Sequence, residues 1–221
     1  MTAILLTGCD SLPGRPTQAD LPLRPSDVTD SATLYGENCA GCHGADGKSG
    51  AAIAMNNPIY LAIIDDASMR SVIADGVPGT SMPPFAQSAG GSLTDHQIDL
   101  LIAGIRKDWA GVPDAAVGAP PYSSSAAGDS NRGAQVYATN CQSCHGPAGK
   151  GGAAGSVVDG AYLSLVSNQY LRTIVIAGRP DLGHPDWKHD ANGQPLTSAQ
   201  VSDVVAWLIS KRPASALAQS N

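Results

Sequence analysis

The sequence predicts an all-α protein that consists of two tandem copies of one helical module. The first observation is an internal repeat, because Tyr35 and the Cys-Xaa-Xaa-Cys-His motif after it recur at Tyr137 with an offset of 102 residues. The second is the end of each copy, where a Thr-Xaa-Xaa-Gln capping box opens an apolar stripe at helical spacing. The third is the composition, since 43% hydrophobic residues without a long apolar run indicate a folded chain.

The repeat sets the expected domain boundaries. We predict a first module at residues 29–110 and a second module at residues 129–213. Residues 111–128 are rich in proline and serine and are expected to form the linker between them. The proline-containing residues 1–28 are expected to form an extended leader, and residues 214–221 a frayed tail.

Each module is predicted to contain three main helices. The first helix runs into the cysteine motif. A middle helix is expected near residues 67–75 and 169–177, because Gly76 and Gly178 follow as C-terminal stop signals. The closing helices follow the capping boxes, and their apolar stripes are expected to pack on the first helix of the same module. The stripes are Ile98, Leu101, Ile102 and Ile105 in the first module and Val201, Val204, Val205 and Leu208 in the second.

The Cys-Xaa-Xaa-Cys-His motifs carry the chemistry of the chain. This spacing is that of c-type haem attachment, in which two thiols bond covalently to the haem and the adjacent histidine binds its iron. A structural zinc site is the alternative, but it needs a second Cys/His pair nearby, whereas these motifs lie far apart. The motifs therefore predict two covalently bound haem c groups. Their attachment residues are Cys39, Cys42, Cys141 and Cys144, and the histidines are His43 and His145.

Each module resembles a class I cytochrome c. The resemblance rests on the attachment motif near the start, on a Gly-Xaa-Pro…Met-Pro loop at residues 76–83, and on a closing helix that begins with Leu-Thr…Gln. The tandem arrangement over residues 29–212 resembles dihaem cytochromes of the cytochrome c4 type. This resemblance implies electron transfer by two haems, with the later loop supplying the second axial ligand of each iron.

For the first iron, the resemblance implies Met82 as the axial ligand opposite His43. Met82 lies 39 residues after His43, and the two prolines that follow it are expected to stiffen the loop. The alternatives are Met55 and Met69. Of these, Met69 lies within a helical pattern and is expected in the core.

The second module departs from this pattern, because it contains no methionine. His184 stands where Met82 stands in the first module, again 39 residues after the motif histidine and again before a proline. We predict His184 as the axial ligand of the second iron, with His189 or an open position as the alternatives. His96 lies in the first turn of a closing helix and is expected at the surface. Since methionine ligation raises the potential of a haem, the first haem should have the higher potential.

The N-terminal segment resembles the end of a bacterial lipoprotein signal. In the run Ile4-Leu5-Leu6-Thr7-Gly8-Cys9 a small residue precedes a cysteine that lies outside the haem motifs. We expect lipidation of Cys9, with a free or disulfide-bonded thiol as the alternative. The part before it is short and lacks a positive start, so the expectation is a truncated signal. Together with thioether-bound haem, this predicts a lipoprotein at the periplasmic or extracytoplasmic face of a bacterial membrane.

The residue types favour electron transfer over catalysis. The net charge is −6, without the basic surface that nucleic-acid binding requires, and no evident nucleophile or acid–base pair is present. We expect an electron carrier or a subunit of a respiratory or photosynthetic membrane complex, attached through lipidated Cys9 or a partner subunit. The alternative is a dihaem enzyme resembling thiosulfate dehydrogenases, in which the second haem is the reaction centre and Arg179 and Lys188 bind a small anion.

Overall fold

A computed structural model of the chain describes Gly14 and residues 21–112, 114–188 and 194–214. Within these residues the structure is helical. It contains no β-strand there, and its extended pairing is limited to isolated bridges between Ala86 and Leu93 and between Arg179 and His184. The predicted all-α fold class is confirmed.

Helices α1–α5 belong to the first module and α6–α10 to the second. They are α1 (Ser31–Asn38), α2 (Ala40–His43), α3 (Pro58–Ile63), α4 (Asp66–Asp75), α5 (Asp95–Trp109), α6 (Ser130–Asn140), α7 (Gln142–His145), α8 (Gly160–Leu165), α9 (Asn168–Ala177) and α10 (Ser198–Ile209). Single 3-10 turns lie at Pro25–Asp27, Gln87–Ala89, Pro147–Gly149 and Pro180–Leu182.

The middle and closing helices end and begin as predicted. Helices α4 and α9 stop before Gly76 and Gly178, whose φ angles of 67° and 66° no helix can accommodate. The capping boxes of α5 and α10 are formed in full, at Thr94 and Thr197. All eight residues of the two apolar stripes are buried, and α5 packs on α1 as α10 packs on α6.

The first and closing helices cross at equivalent points, but the small residue at the crossing is on opposite helices. In the first module Gly104 of α5 meets Ser31 of α1, where an added Cβ would lie 2.5 Å from the serine Oγ. In the second module Gly133 of α6 meets α10 beside Trp207, where an added Cβ would lie 2.0 Å from the carbonyl oxygen of Asp203. Close approach of the helices therefore depends on one glycine in each module.

The two modules are in direct contact through α3 and α9. The side chain of Asn57 caps α3, and its Nδ2 donates to the carbonyl oxygen of Ala177 at the end of α9, at 3.0 Å. Beside this bond Ile59 and Ile63 pack against a buried cluster that contains Ile176. Asn57 is 2% exposed, so the polar contact lies inside the interface.

The linker is fixed to both modules. The guanidinium of Arg172, a buried side chain of α9, donates to the carbonyl oxygens of Pro121 and Tyr122. Gln169 donates a further bond of 2.7 Å to the carbonyl oxygen of Tyr122. The Tyr122 side chain itself packs against the core of the first module. This segment therefore holds the modules together as well as connecting them.

Candidate functional site

The two attachment motifs form equivalent short helices. The first cysteines, Cys39 and Cys141, are half-buried N-caps, and the second cysteine and the histidine follow within α2 and α7. The second cysteines, Cys42 and Cys144, are exposed. Burial, with a smaller effect of the neighbouring thiol, raises the pKa of Cys39 and Cys141 to about 11. Each motif thus holds two sulfur atoms and one imidazole within a short stretch of helix.

Each motif histidine is oriented by a backbone carbonyl ten residues further along the chain. The Nδ1 of His43 lies 2.8 Å from the carbonyl oxygen of Ile53, and the Nδ1 of His145 lies 3.2 Å from that of Gly155. A neutral imidazole that donates from Nδ1 leaves Nε2 available to a metal, and the bond fixes the orientation of the ring. Burial lowers the pKa of His43, which favours this neutral form.

Tyrosines of the first helices hold the loops after the motifs. The hydroxyl of Tyr35 donates to the carbonyl oxygen of Gly44 at 2.9 Å, and that of Tyr137 donates to the carbonyl oxygen of Gly146 at 2.7 Å. Both glycines have a positive φ, and a Cβ on either would lie within 2.0 Å of a backbone oxygen. The repeated tyrosine therefore fixes the turn that follows each histidine.

Met82 and His184 occupy equivalent places in the two modules. A Cβ added to Gly76 would lie 2.7 Å from the carbonyl oxygen of Met82, and one added to Gly178 would lie 2.7 Å from that of His184. The loops therefore pass the ends of α4 and α9 in the same register. Both side chains are half-buried.

The other methionine and histidine candidates lie elsewhere or outside the described residues. Met55 and Met69 are buried in the core of the first module, as expected for Met69. His96 is exposed in the first turn of α5, as predicted. His189 and Cys9 lie outside the described part of the chain.

His145 and His184 face each other across the second site. Their ring centroids are 5.8 Å apart, with 46° between the ring planes. Two imidazole nitrogens bound to one metal ion at about 2 Å each require ring centroids roughly 6 Å apart. Among the described residues, the buried Nδ1 of His184 has no hydrogen-bond partner, and a buried polar atom without a partner is rare enough to call for a bound group at the site. Burial and the nearby His145 lower the pKa of His184, which favours the neutral form that binds a metal.

The side chain of Arg179 is bound by neighbouring protein groups and does not line an open anion site. Its side chain is 7% exposed and forms an ion pair of 2.7 Å with Asp181. The same guanidinium donates to the carbonyl oxygens of Gly50 and Ala52 in the first module, at 3.0 and 2.9 Å. Lys188, the other proposed anion ligand, lies over the ring of Trp187.

Comparison with known proteins identifies the family. The family described as "Cytochrome C oxidase, cbb3-type, subunit III" matches residues 26–103 and 128–208, which are most of the chain. The chain belongs to this family. It is therefore a c-type cytochrome with two tandem cytochrome c domains and two covalently bound haems, and its class of function is electron transfer.

Two curated relatives carry the same type of name. The chain is 27% identical over 168 residues to the "Cbb3-type cytochrome c oxidase subunit CcoP" of Azospirillum sp. (strain B510), covering 71% of this chain and 50% of that protein. It is 29% identical over 121 residues to the "Cbb3-type cytochrome c oxidase subunit FixP" of Azorhizobium caulinodans, covering 53% of this chain and 38% of that protein. The chain thus spans half or less of the length of these relatives.

A solved structure with a similar chain is the reducing HAO-like protein complex of Kuenenia stuttgartiensis. It aligns with 87% of this chain and 100% of that chain, at 15% identity and a TM-score of 0.48. Cytochrome c domains of the kind found here are extracytoplasmic. None of the helices in the described ranges has the length and hydrophobicity needed to span a membrane.

The sequence missed the residues that orient the haem ligands and join the modules. The carbonyls of Ile53 and Gly155 belong to the backbone, so the identity of their side chains does not predict that they bind His43 and His145. Only the fold shows these bonds. Asn57 and the pair Arg179 and Asp181 could have been found by aligning the two modules, since their counterparts in the other module have different chemistry.

Proposed function

We propose that this cytochrome relays electrons through two six-coordinate haems as a subunit of a cbb3-type oxidase complex. Membership of the subunit III family and the names of both curated relatives support this assignment. The observation that carries the relay is the distance of 5.8 Å between the ring centroids of His145 and His184, because two imidazole ligands would leave no free position for a substrate on the second iron. The proposed domain boundaries are residues 29–110 and 129–213.

We assign the axial ligands from register and from ring geometry. The first haem would be attached to Cys39 and Cys42 and held by His43 and Met82. The register of the Met82 loop supports this choice, as does the burial of the other methionines in the core.

The second haem would be attached to Cys141 and Cys144 and held by His145 and His184. The centroid distance of 5.8 Å and the unpartnered nitrogen of His184 support the pair. His189 remains a competing ligand that belongs to the same test.

The haems supply reversible one-electron chemistry, and the chain supplies their positions and surroundings. The carbonyls of Ile53 and Gly155 hold the imidazoles of His43 and His145 in one orientation. Fixed ligands keep the coordination unchanged between oxidation states, so little reorganisation accompanies each electron.

The two haems should differ in reduction potential. A thioether ligand favours ferrous iron, whereas a second imidazole favours ferric iron, so the haem at Met82 should have the higher potential. A redox titration that resolves both haems checks this order. This order would direct electrons from the second module to the first and on to the next acceptor. A low-potential haem in the first module would contradict the ligand assignment.

Substitution of the distal ligands tests the site directly. In His184→Met the second haem should gain a sulfur ligand and a higher potential, because thioether replaces imidazole. In Met82→Ala the first haem should become able to bind carbon monoxide. Absorption spectra, resolved potentials and carbon monoxide binding are the measurements, with His96→Ala as the surface control.

Two results would refute the proposal. An unmodified protein that carries fewer than two haems excludes a dihaem relay. Ready carbon monoxide binding at the second haem of the unmodified protein would show an open position and favour the thiosulfate dehydrogenase-like alternative.

We also propose a lipid anchor on Cys9 that places the protein at the periplasmic face of the membrane. The motif Leu6-Thr7-Gly8-Cys9 supports it, as does the electron-transfer role at a membrane complex. Stable attachment requires more than one acyl chain or a partner subunit. Mass spectrometry of the protein expressed with its native leader should detect a diacylglyceryl cysteine, and Cys9→Ser should abolish it. An unmodified N-terminal cysteine in the native protein contradicts the anchor.

A further inference from the structure

The second module reaches into the first haem site through one buried ion pair. Arg179 and Asp181 lie in the loop of the second module that leads to His184, and their side chains are 7% and 5% exposed. The guanidinium is held by both carboxylate oxygens, at 2.9 and 2.7 Å. Two of its other bonds go to the first module, to the carbonyl oxygens of Gly50 and Ala52.

These contacts lead directly to the ligand His43. Ala52 accepts from Arg179 through its carbonyl and donates its N–H to the carbonyl oxygen of Cys42 at 2.9 Å. The next residue, Ile53, accepts from the Nδ1 of His43. One short segment therefore connects the guanidinium to the attachment helix and to the imidazole.

The carboxylate makes a separate bond to the same loop. Asp181 accepts from the backbone N–H of Ser49 at 2.8 Å. Ser49 has a φ of 61°, which is unfavourable for a residue other than glycine. Gly151 occupies the equivalent position in the second module. The bond from Ser49 to Asp181 supports this left-handed conformation, which differs from that of Gly151, whose φ is 125°.

The first module has no counterpart of this pair. The positions equivalent to Arg179 and Asp181 are Val77 and Gly79, which carry no charge. The pair is therefore not a requirement of the loop that presents a distal ligand. Instead, Arg179 and Asp181 both bind the loop that follows His43 in the first module.

We propose that Arg179 and Asp181 are positioning residues shared by both haem sites, so that the second module sets the geometry and the potential of the first haem. This inference rests on the ligand assignment proposed above. Arg179 contributes to the lowered pKa of both His43 and His184, behind burial, which agrees with a charge close to both sites. Binding of the pair makes docking of the modules a condition for a correctly oriented His43.

Two single substitutions in the holoprotein test this role. Arg179→Gln leaves a buried carboxylate near the first haem, which favours ferric iron and should lower its potential. Asp181→Asn leaves the guanidinium and should raise it. We expect each shift to correspond to a change of about threefold or more in the redox equilibrium, which is about 28 mV at 59 mV per tenfold change for one electron.

A second measurement detects the bond between Ser49 and Asp181 directly and does not depend on the haem potential. Amide hydrogen exchange at Ser49 should accelerate in both variants, since the amide loses its bound carboxylate or the support of the guanidinium. The control is Arg132→Gln, which breaks an ion pair with Asp203 inside the second module and should change neither Ser49 exchange nor the first-haem potential.

The outcomes separate this inference from the proposed function. If the first-haem potential does not move in opposite directions in the two variants, or if Ser49 exchange is unchanged, the inference is wrong. Loss of two-haem spectra or of His184 ligation in the unmodified protein refutes the proposed function instead. Amide exchange at Ser49 reports on the ion pair of Arg179 and Asp181 whether or not the proposed function is correct.

Discussion

At the residue scale, single glycines decide how closely the backbones approach. Gly133 lies where α6 crosses α10, and an added Cβ would lie 2.0 Å from the carbonyl oxygen of Asp203. In the first module the equivalent residue is Ser31, because there the glycine is on the closing helix at position 104. Each crossing therefore contains one glycine, on the closing helix in the first module and on the first helix in the second.

Gly133→Ala should destabilise the second module by about 1–3 kcal/mol, since α6 and α10 must move apart to admit the methyl group. Chemical denaturation of the holoprotein measures the change. Gly36→Ala in α1 is the matched control, because nothing lies within 4 Å of its added Cβ. That control should be neutral or stabilising by about 0.5–1 kcal/mol through helix propensity. Equal effects of both substitutions would contradict the crossing argument.

At the element scale, helices α3 and α8 show how equivalent helices are completed by different residues. Asn57 caps α3 and Asp159 caps α8, each accepting from backbone N–H groups of the first turn. At the other end, Arg106 binds the last carbonyls of α3, and Arg212 binds the equivalent carbonyls of α8. The arginines come from different turns of the chain, so only the fold reveals their common role.

Asn57→Asp should weaken the interface between the modules although aspartate caps helices well. The change removes the donor to Ala177 and places a carboxylate beside the carbonyl end of α9, where negative charge is unfavourable. We expect a loss of about 1–3 kcal/mol in the free energy of unfolding.

The reverse change, Asp159→Asn, is the control, because Asp159 is exposed and caps α8 only. It should change stability little. Thermal unfolding of the two variants measures the difference. If Asn57→Asp changes stability as little as Asp159→Asn does, the proposed role of Asn57 in the interface is wrong.

At the scale of the whole molecule, the stability of the docked modules should depend on acid through Asp181. Hydrogen bonds from Arg179, with a smaller one from the Ser49 amide, lower the pKa of Asp181 from 3.8 to about 2. A carboxyl whose pKa is lower in the folded state stabilises that state above its unfolded pKa. The stabilisation is then lost as the pH falls from about 4 to about 2.

The difference in stability between the unmodified protein and Asp181→Asn should therefore be about 2 kcal/mol near pH 6 and should disappear toward pH 2. Denaturation of both proteins across this range measures it. The comparison isolates Asp181, because other groups that titrate in acid are common to both proteins. A difference that is constant with pH would exclude the ion pair as its cause.

Much of the fold followed from the repeat and from local signals. Capping boxes, stop glycines and apolar stripes depend on neighbouring residues, so they could be identified without the fold, and α4, α5, α9 and α10 agree with their predicted positions. The attachment motifs depend on short spacing and were equally accessible. Met82 and His184 could be paired only by using the offset between the modules. The structure places both residues in equivalent loops.

By itself the sequence determined two helical haem-binding modules, their order, and a histidine where the first module has methionine, because each of these is written in short-range patterns or in their repetition. Tertiary structure decided how the modules meet. The bonds from Asn57 to Ala177 and from Arg179 to the first haem loop join residues more than a hundred positions apart. Such contacts depend on burial and on backbone carbonyls, which leave no local pattern in the chain.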